Sequence, residues 1–226
     1  HIWYLFEYDC GQNWHANPAK GYPYYTFQHF TENGKLDRMR VLKESLLAIN
    51  RNFNKNLCSW FAGMFTALNP SVEEQLTLQP EMLAALSSPH SRPINIILGL
   101  LKNLCSHPRF LTDDFLDQTA LLFASDVKAV HQNTLGVLSK LAKEKKEYHD
   151  AICCAATQGL MSRDESTQNK IVKLIQTFGE TESPTLKEAL SAYAETMLTS
   201  TKKELAAYLK DNVSDALSTD KVLLTT

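Results

Sequence analysis

Residues 132–141, QNTLGVLSKL, set a pattern that other parts of the chain repeat. Residues 168–175 read QNKIVKLI, so the QN-x-apolar register returns 36 positions later. Upstream, Leu98, Gly99 and Leu101 stand 37 positions before Leu135, Gly136 and Leu138. Three segments with one apolar layout at near-constant spacing predict an array of stacked helical hairpins, in which each unit covers the apolar face of its neighbour.

Outward from these segments the helical period holds over most of the chain. Leu42, Leu46, Ile49 and Phe53 follow a 3.6-residue repeat, and Leu57, Trp60, Phe61, Met64, Phe65 and Leu68 make a fuller stripe, so the two predict a hairpin. Asn69-Pro70 ends it, and Ser71 with Glu74 has the spacing of a capping box that starts the next helix. Pro80 falls inside the pattern Val72, Leu76, Leu83, Leu86, where the missing N–H predicts a kink or a split. Residues 87–92 read as a turn, with Pro93 at the first helical position before the stripe Ile94, Ile97, Leu98, Leu101, Leu104. After the break at His107-Pro108 and a helix through Phe115, Thr119, Leu122 and Phe123, the opening segment presents Val130, Thr134, Val137, Leu138 and Leu141 inward. Ser162 with Glu165 and Thr201 with Glu204 have the spacing of further capping boxes, and Ser183-Pro184 reads as another helix start. The last stripe is Leu205, Tyr208, Leu209, Val213, Leu217.

The expected fold is therefore all-α. A period of 36 to 37 lies between the usual spacings of tetratricopeptide and HEAT helix pairs, and the expected architecture is a HEAT/armadillo-like α-solenoid of antiparallel helix pairs. Residues 1–30, dense in rings from Trp3 to Phe30 and broken by Gly11, Pro18, Gly21 and Pro23, read as an aromatic cap on the end of the stack. Residues 31–217 read as the repeat domain and residues 218–226 as a C-terminal tail. Gly34-x-Leu36-Asp37-Arg38, Phe53-Asn54, Trp60-Phe61 and Leu68-x-Pro70-x-x-Glu73-Glu74, followed by paired helices, resemble the N-terminal part of a family of large bacterial proteins of unknown function with HEAT-like helices. The resemblance implies that fold and a bacterial cytoplasmic origin, and it lends no catalytic or binding residue to these positions.

Composition narrows the function classes. The 226 residues are 44% hydrophobic and 21% charged, an ordinary globular balance. A formal net charge of −2 provides no global field to attract nucleic acid or an anionic membrane. The five cysteines are odd in number and include the adjacent Cys153 and Cys154 within a helical stripe, an arrangement that suits a reducing cytosol better than a secreted disulfide framework. No apolar run approaches a membrane span of roughly 18 residues. The residues 1–10, HIWYLFEYDC, lack a basic leader and begin without Met, so the chain reads as a domain of a longer protein.

Each candidate constellation has a structural explanation beside the chemical one. His149 and Cys153 at i, i+4 share a helix face, but two ligands do not complete a metal site, and a half-buried thiol beside a surface imidazole explains them better. Cys10, His15 and His29 lack ligand spacing. Asp113, Asp114 and Asp117 follow Thr112 at a helix start, and Lys140, Lys143, Lys145 and Lys146 gather at a helix end, both arrangements that offset the helix dipole. Arg38, Arg40, Lys43, Arg51 and Lys55 would suit a phosphate-binding face, although the interspersed Asp37 and Glu44 suit a solvated one. No phosphate loop, GxSxG, HExxH or dinucleotide glycine pattern occurs, and no catalytic, cofactor-binding or metal residue is assigned. The expectation is a non-catalytic interaction scaffold whose partner is a protein or another domain of its own chain. Nucleic-acid binding on a basic face and an enzyme site under the aromatic segment are the alternatives.

Overall fold

The structure, a computed structural model, describes residues 2–11 and 24–209. His15, Trp14, Pro18, Gly21, Tyr22 and Pro23 of the N-terminal readings lie outside those residues, as do Val213, Leu217 and the 218–226 tail. Every regular element among the described residues is helical. The chain divides into two compact units, His1–Lys140 and Leu141–Thr226, each taken by itself below.

In the first unit, α1 (Tyr4–Glu7) packs on α3 (Arg38–Ile49), and α2 (Tyr24–Glu32) packs on α3 and α4 (Lys55–Ala67). The hairpin α3–α4 forms because each strand of apolar period is opened by a polar cap. Asp37 accepts from the Arg40 N–H, and Asn54 accepts from the Asn56 and Leu57 N–H groups. Leu42, Leu46, Ile49, Leu57, Trp60, Phe61, Met64 and Phe65 are all buried. Phe53 is a difference from the sequence reading: it lies in the connection before α4 and is only half-buried.

The capping box is present as expected, with Ser71 Oγ accepting from Glu74 N–H and the Glu74 carboxylate accepting from Ser71 N–H. Pro80 splits its helix into α5 (Val72–Thr77) and α6 (Gln79–Ala84) around Leu78. Helix α7 (Ser91–Leu104) starts two residues earlier than Pro93 suggested. The cost of that placement is small, since the first four amides of a helix have no partner within it and the third position tolerates a missing N–H. Helices α8 (Thr112–Asp117) and α9 (Thr119–Phe123) then lead to α10 (Lys128–Glu144), which crosses the unit boundary.

Successive pairs are tied at matching points. Helix α3 packs on α6 and α4 on α7. Asn50 Nδ2 donates to the Ala84 carbonyl at 2.5 Å, Ser88 Oγ to the Ile49 carbonyl at 3.3 Å, and the His90 ring Nε2 stands 3.2 Å from the Phe53 carbonyl. Between α7 and α10, Asn133 donates to Asn95 Oδ1 at 2.8 Å and Lys140 Nζ to the Lys102 carbonyl at 2.9 Å, both across 38 residues. Equal separations at two levels mean that α7 and α10 run in the same direction. Lys140 therefore ties two helices together instead of serving only the end of its own.

In the second unit, α11 (His149–Thr157) packs on α12 (Glu165–Phe178) and on α13 (Pro184–Ala192). Helix α12 packs on α14 (Thr199–Glu204), and α13 on α15 (Ala206–Leu209). Ile152, Ile171, Leu174, Ile175, Leu186 and Leu190 form its interior. Ser183 caps α13 with Pro184 at its first position, as the sequence indicates. Two expected capping boxes do not form. Asp164, one residue before Glu165, caps α12 by accepting from Thr167 N–H, while Ser162 Oγ accepts from the Asp164 N–H upstream. Helix α14 starts at Thr199, which places Thr201 inside the helix, fully buried.

Candidate functional site

The aromatic segment is the first place to look for a cleft, and its described rings are packed against one another. Phe6, fully buried, lies 5.7 Å from the Phe27 ring and 5.5 Å from the Phe61 ring. The Tyr24 ring lies tilted beside Trp60 at 5.7 Å and its hydroxyl donates to the Trp60 carbonyl at 3.2 Å. Burial raises the Tyr24 pKa, with a smaller opposing effect from Arg92, so the phenol stays a neutral donor. The Arg40 guanidinium covers Trp3 at 3.9 Å from the ring centroid.

The basic residues of α3 face acids. Arg38 Nε meets Glu74 Oε1 at 2.7 Å and its Nη2 donates to the Leu68 carbonyl at 2.8 Å. Lys43 pairs with Glu81 at 2.9 Å, and Arg40 with Glu44 at 3.9 Å. A phosphate arriving at this face would have to compete with those carboxylates.

His149 and Cys153 are brought near each other without forming a ligand pair. The His149 Nε2 stands 2.7 Å from the Ala142 carbonyl, and its ring packs on Phe178 at 5.0 Å. Cys153 is fully buried, and burial first, then Cys154 and Asp150, push its pKa up to about 12. Such a thiol stays protonated at neutral pH, which disfavours it as a nucleophile. Among the described residues no three His, Cys, Asp or Glu side chains gather as a metal-holding group. Asp113 and Asp114 occupy the first turn of α8, where they offset the dipole, and Asp117 closes that helix. Asp150 instead fastens two elements, accepting from the Ser183 and Thr185 hydroxyls.

The surface feature that sequence reasoning missed is a hollow of about 370 Å³ in the first unit. Leu86, Ile94, Leu122 and Val130 form its apolar floor, Ser88 and Ser125 add polar edges, and Leu121 and Val127 stand at the rim. Leu121 is 50% exposed and Val127 39% exposed, in contrast to the buried floor. Two separate segments build it, residues 86–94 around the start of α7 and residues 121–130 from the end of α9 into α10, so no local motif announces it. The only sequence signal is that Leu121 and Val127 fall outside the inward stripes. A second hollow of about 340 Å³ has the exposed Val72 beside Leu104 and Pro108.

With this geometry in place, comparison with known proteins identifies the class. A family model described as a domain of unknown function (DUF6493) matches residues 1–129, and the chain belongs to that family. No curated protein and no solved structure matches it. Among the described residues no helix is long and apolar enough to cross a membrane.

Proposed function

We propose that this chain is a non-catalytic interaction scaffold, a HEAT-like α-solenoid segment that holds an apolar stretch of a protein partner in the hollow at Leu121 and Val127. The observation that carries the reading is the pair of exposed apolar side chains at the rim of an apolar floor. Removing both from water on binding gains affinity, and a preformed floor limits the ordering cost. The repeat spacing and the ties between α3–α4 and α5–α7 support a stacked frame able to present such a surface. The resemblance to bacterial proteins with HEAT-like helices supports a place in the cytoplasm as part of a larger protein. Nucleic-acid binding is less favoured, because Arg38, Arg40 and Lys43 already face carboxylates. An enzyme site under the aromatic segment is less favoured because Phe6, Phe27 and Phe61 fill the space between their elements.

The test is capture from bacterial lysate by the wild-type chain and by Leu121→Lys. Leu121 is exposed, so the substitution is expected to leave the thermal midpoint nearly unchanged while abolishing retention of the partner. Equal capture by both proteins would remove the hollow from the account. Failure to capture any protein, together with substrate turnover by the chain, would replace the scaffold by an enzyme.

A further inference from the structure

Helices α8 and α14 are among the described helices that start without a side-chain cap of their own. Leu111 precedes α8 and Leu198 precedes α14, and neither side chain carries an oxygen for the first amides. Elsewhere Asp37, Asn54, Ser71, Asp164 and Ser183 supply that oxygen from the capping position itself. At the two leucines the backbone is held from another helix. Gln79 Oε1, on α6, accepts from Leu111 N–H at 2.9 Å, while Gln79 Nε2 donates to the Arg109 carbonyl at 2.9 Å. Gln168 Oε1, on α12, accepts from Leu198 N–H at 2.9 Å, while its Nε2 lies 3.2 Å from the Thr196 carbonyl.

The match is positional as well as chemical. In each unit one glutamine amide bridges the carbonyl three residues before the first helical residue, Thr112 or Thr199, and the N–H one residue before it. Each also holds the chain leading into its own helix. Gln79 Nε2 reaches the Leu76 carbonyl at 3.2 Å, and Gln168 Nε2 reaches the Ser162 carbonyl at 2.8 Å. Both side chains are buried, Gln79 at 3% exposure and Gln168 at 0%. A buried amide is tolerated only when its donors and acceptor are engaged, which fixes the position of everything it touches.

We infer that Gln79 and Gln168 are inter-helix caps that make the start of one helix depend on the helix of the preceding pair. In the box of α5, Glu74 accepts the N–H of the capping residue within one helix; here the same N–H goes to a glutamine 32 or 30 residues earlier in the chain. Helices α8 and α14 have six residues each, too short to be stable alone, so this anchoring couples their formation to α6 and α12. The device passes order from one pair to the next within each unit, the nearest-neighbour coupling on which stacked helical arrays depend. It stands whatever the hollow binds.

The experiment is native-state hydrogen exchange on the full chain with residue resolution, comparing wild type with Gln79→Met, Gln168→Met and Gln79→Glu. Gln79→Met is expected to lower protection at Leu111 and through α8 by about tenfold or more while α4 keeps its protection. Gln168→Met should do the same at Leu198 and α14 and leave α8 unchanged. In Gln79→Glu a carboxylate meets the Arg109 carbonyl without a hydrogen to donate. Acidification restores an O–H donor, so the protection factor at Leu111 should rise as pH falls while that of wild type does not. This variant decides the matter if the methionine proteins do not fold. Unchanged exchange at Leu111 and Leu198, loss spread evenly over a unit, or a Gln79→Glu profile that follows wild type would overturn the inference.

Discussion

Arg38 and Glu74 stand 36 residues apart and meet at 2.7 Å, on a carboxylate that also closes the box with Ser71. The hydrogen bond from Arg38 holds the Glu74 pKa below its ordinary 4.5, against an opposing effect of burial and with help from the Ser71 amide. A carboxyl whose folded pKa is depressed stabilises the fold above its unfolded value and loses that contribution as pH falls through the folded one. The thermal midpoint is therefore expected to fall as acid is added below about pH 4.5, and Glu74→Gln should both lower it at pH 7 and flatten that part of the curve. An identical acid limb in the variant would show that Glu74 is not a source of the slope. The local half of this site was legible in the sequence, because Ser71 and Glu74 are three residues apart on one turn. Arg38 was read as part of a basic face, since spacing along one helix says nothing about the acid that another helix brings to it.

At the scale of single helices, stripes and breakers carried most of the information. Pro80 marks the split between α5 and α6, and the stripe from Ile94 to Leu104 is buried on the expected side. Helix starts were less legible where the decisive oxygen comes from elsewhere. Thr201 and Glu204 have box spacing, yet the N–H before α14 goes to Gln168. Two of the glycines at interior helix positions differ in a way that sequence does not reveal. A Cβ on Gly99 of α7 would meet nothing within 4 Å, whereas one on Gly63 of α4 would lie 2.5 Å from the Tyr24 hydroxyl. Gly99→Ala should raise stability by about 0.5–1 kcal/mol through helix propensity. Gly63→Ala should fail to show that gain, because Tyr24 must move and give up its bond to the Trp60 carbonyl. Denaturant midpoints of the two variants check this, and equal gains would mean that Tyr24 yields freely.

At the largest scale, the helical character of the described residues was legible because glycine and proline are few and the apolar period recurs along the chain. The hollow was not, because Leu86 and Ile94 come from a segment separate from Leu121 and Val127, and only packing brings the two together. Leu138 and Leu174, which share the register of the two QN segments, are 0% and 3% exposed. Leu→Ala at either should cost about 2–5 kcal/mol in chemical denaturation, and a cost below about 0.5 kcal/mol would contradict a close-packed interior at that position. The family match covers residues 1–129 and so includes Leu121 and Val127 at the rim of the hollow. The scaffold reading is tested most directly by a photo-crosslinking amino acid in place of Leu121, with the same group in place of Leu47, an exposed apolar residue of α3 outside the hollow. Irradiation in bacterial lysate should join one discrete protein to position 121 and none to position 47. Equal labelling at both positions, or none at 121 while the chain turns over a substrate, would contradict it.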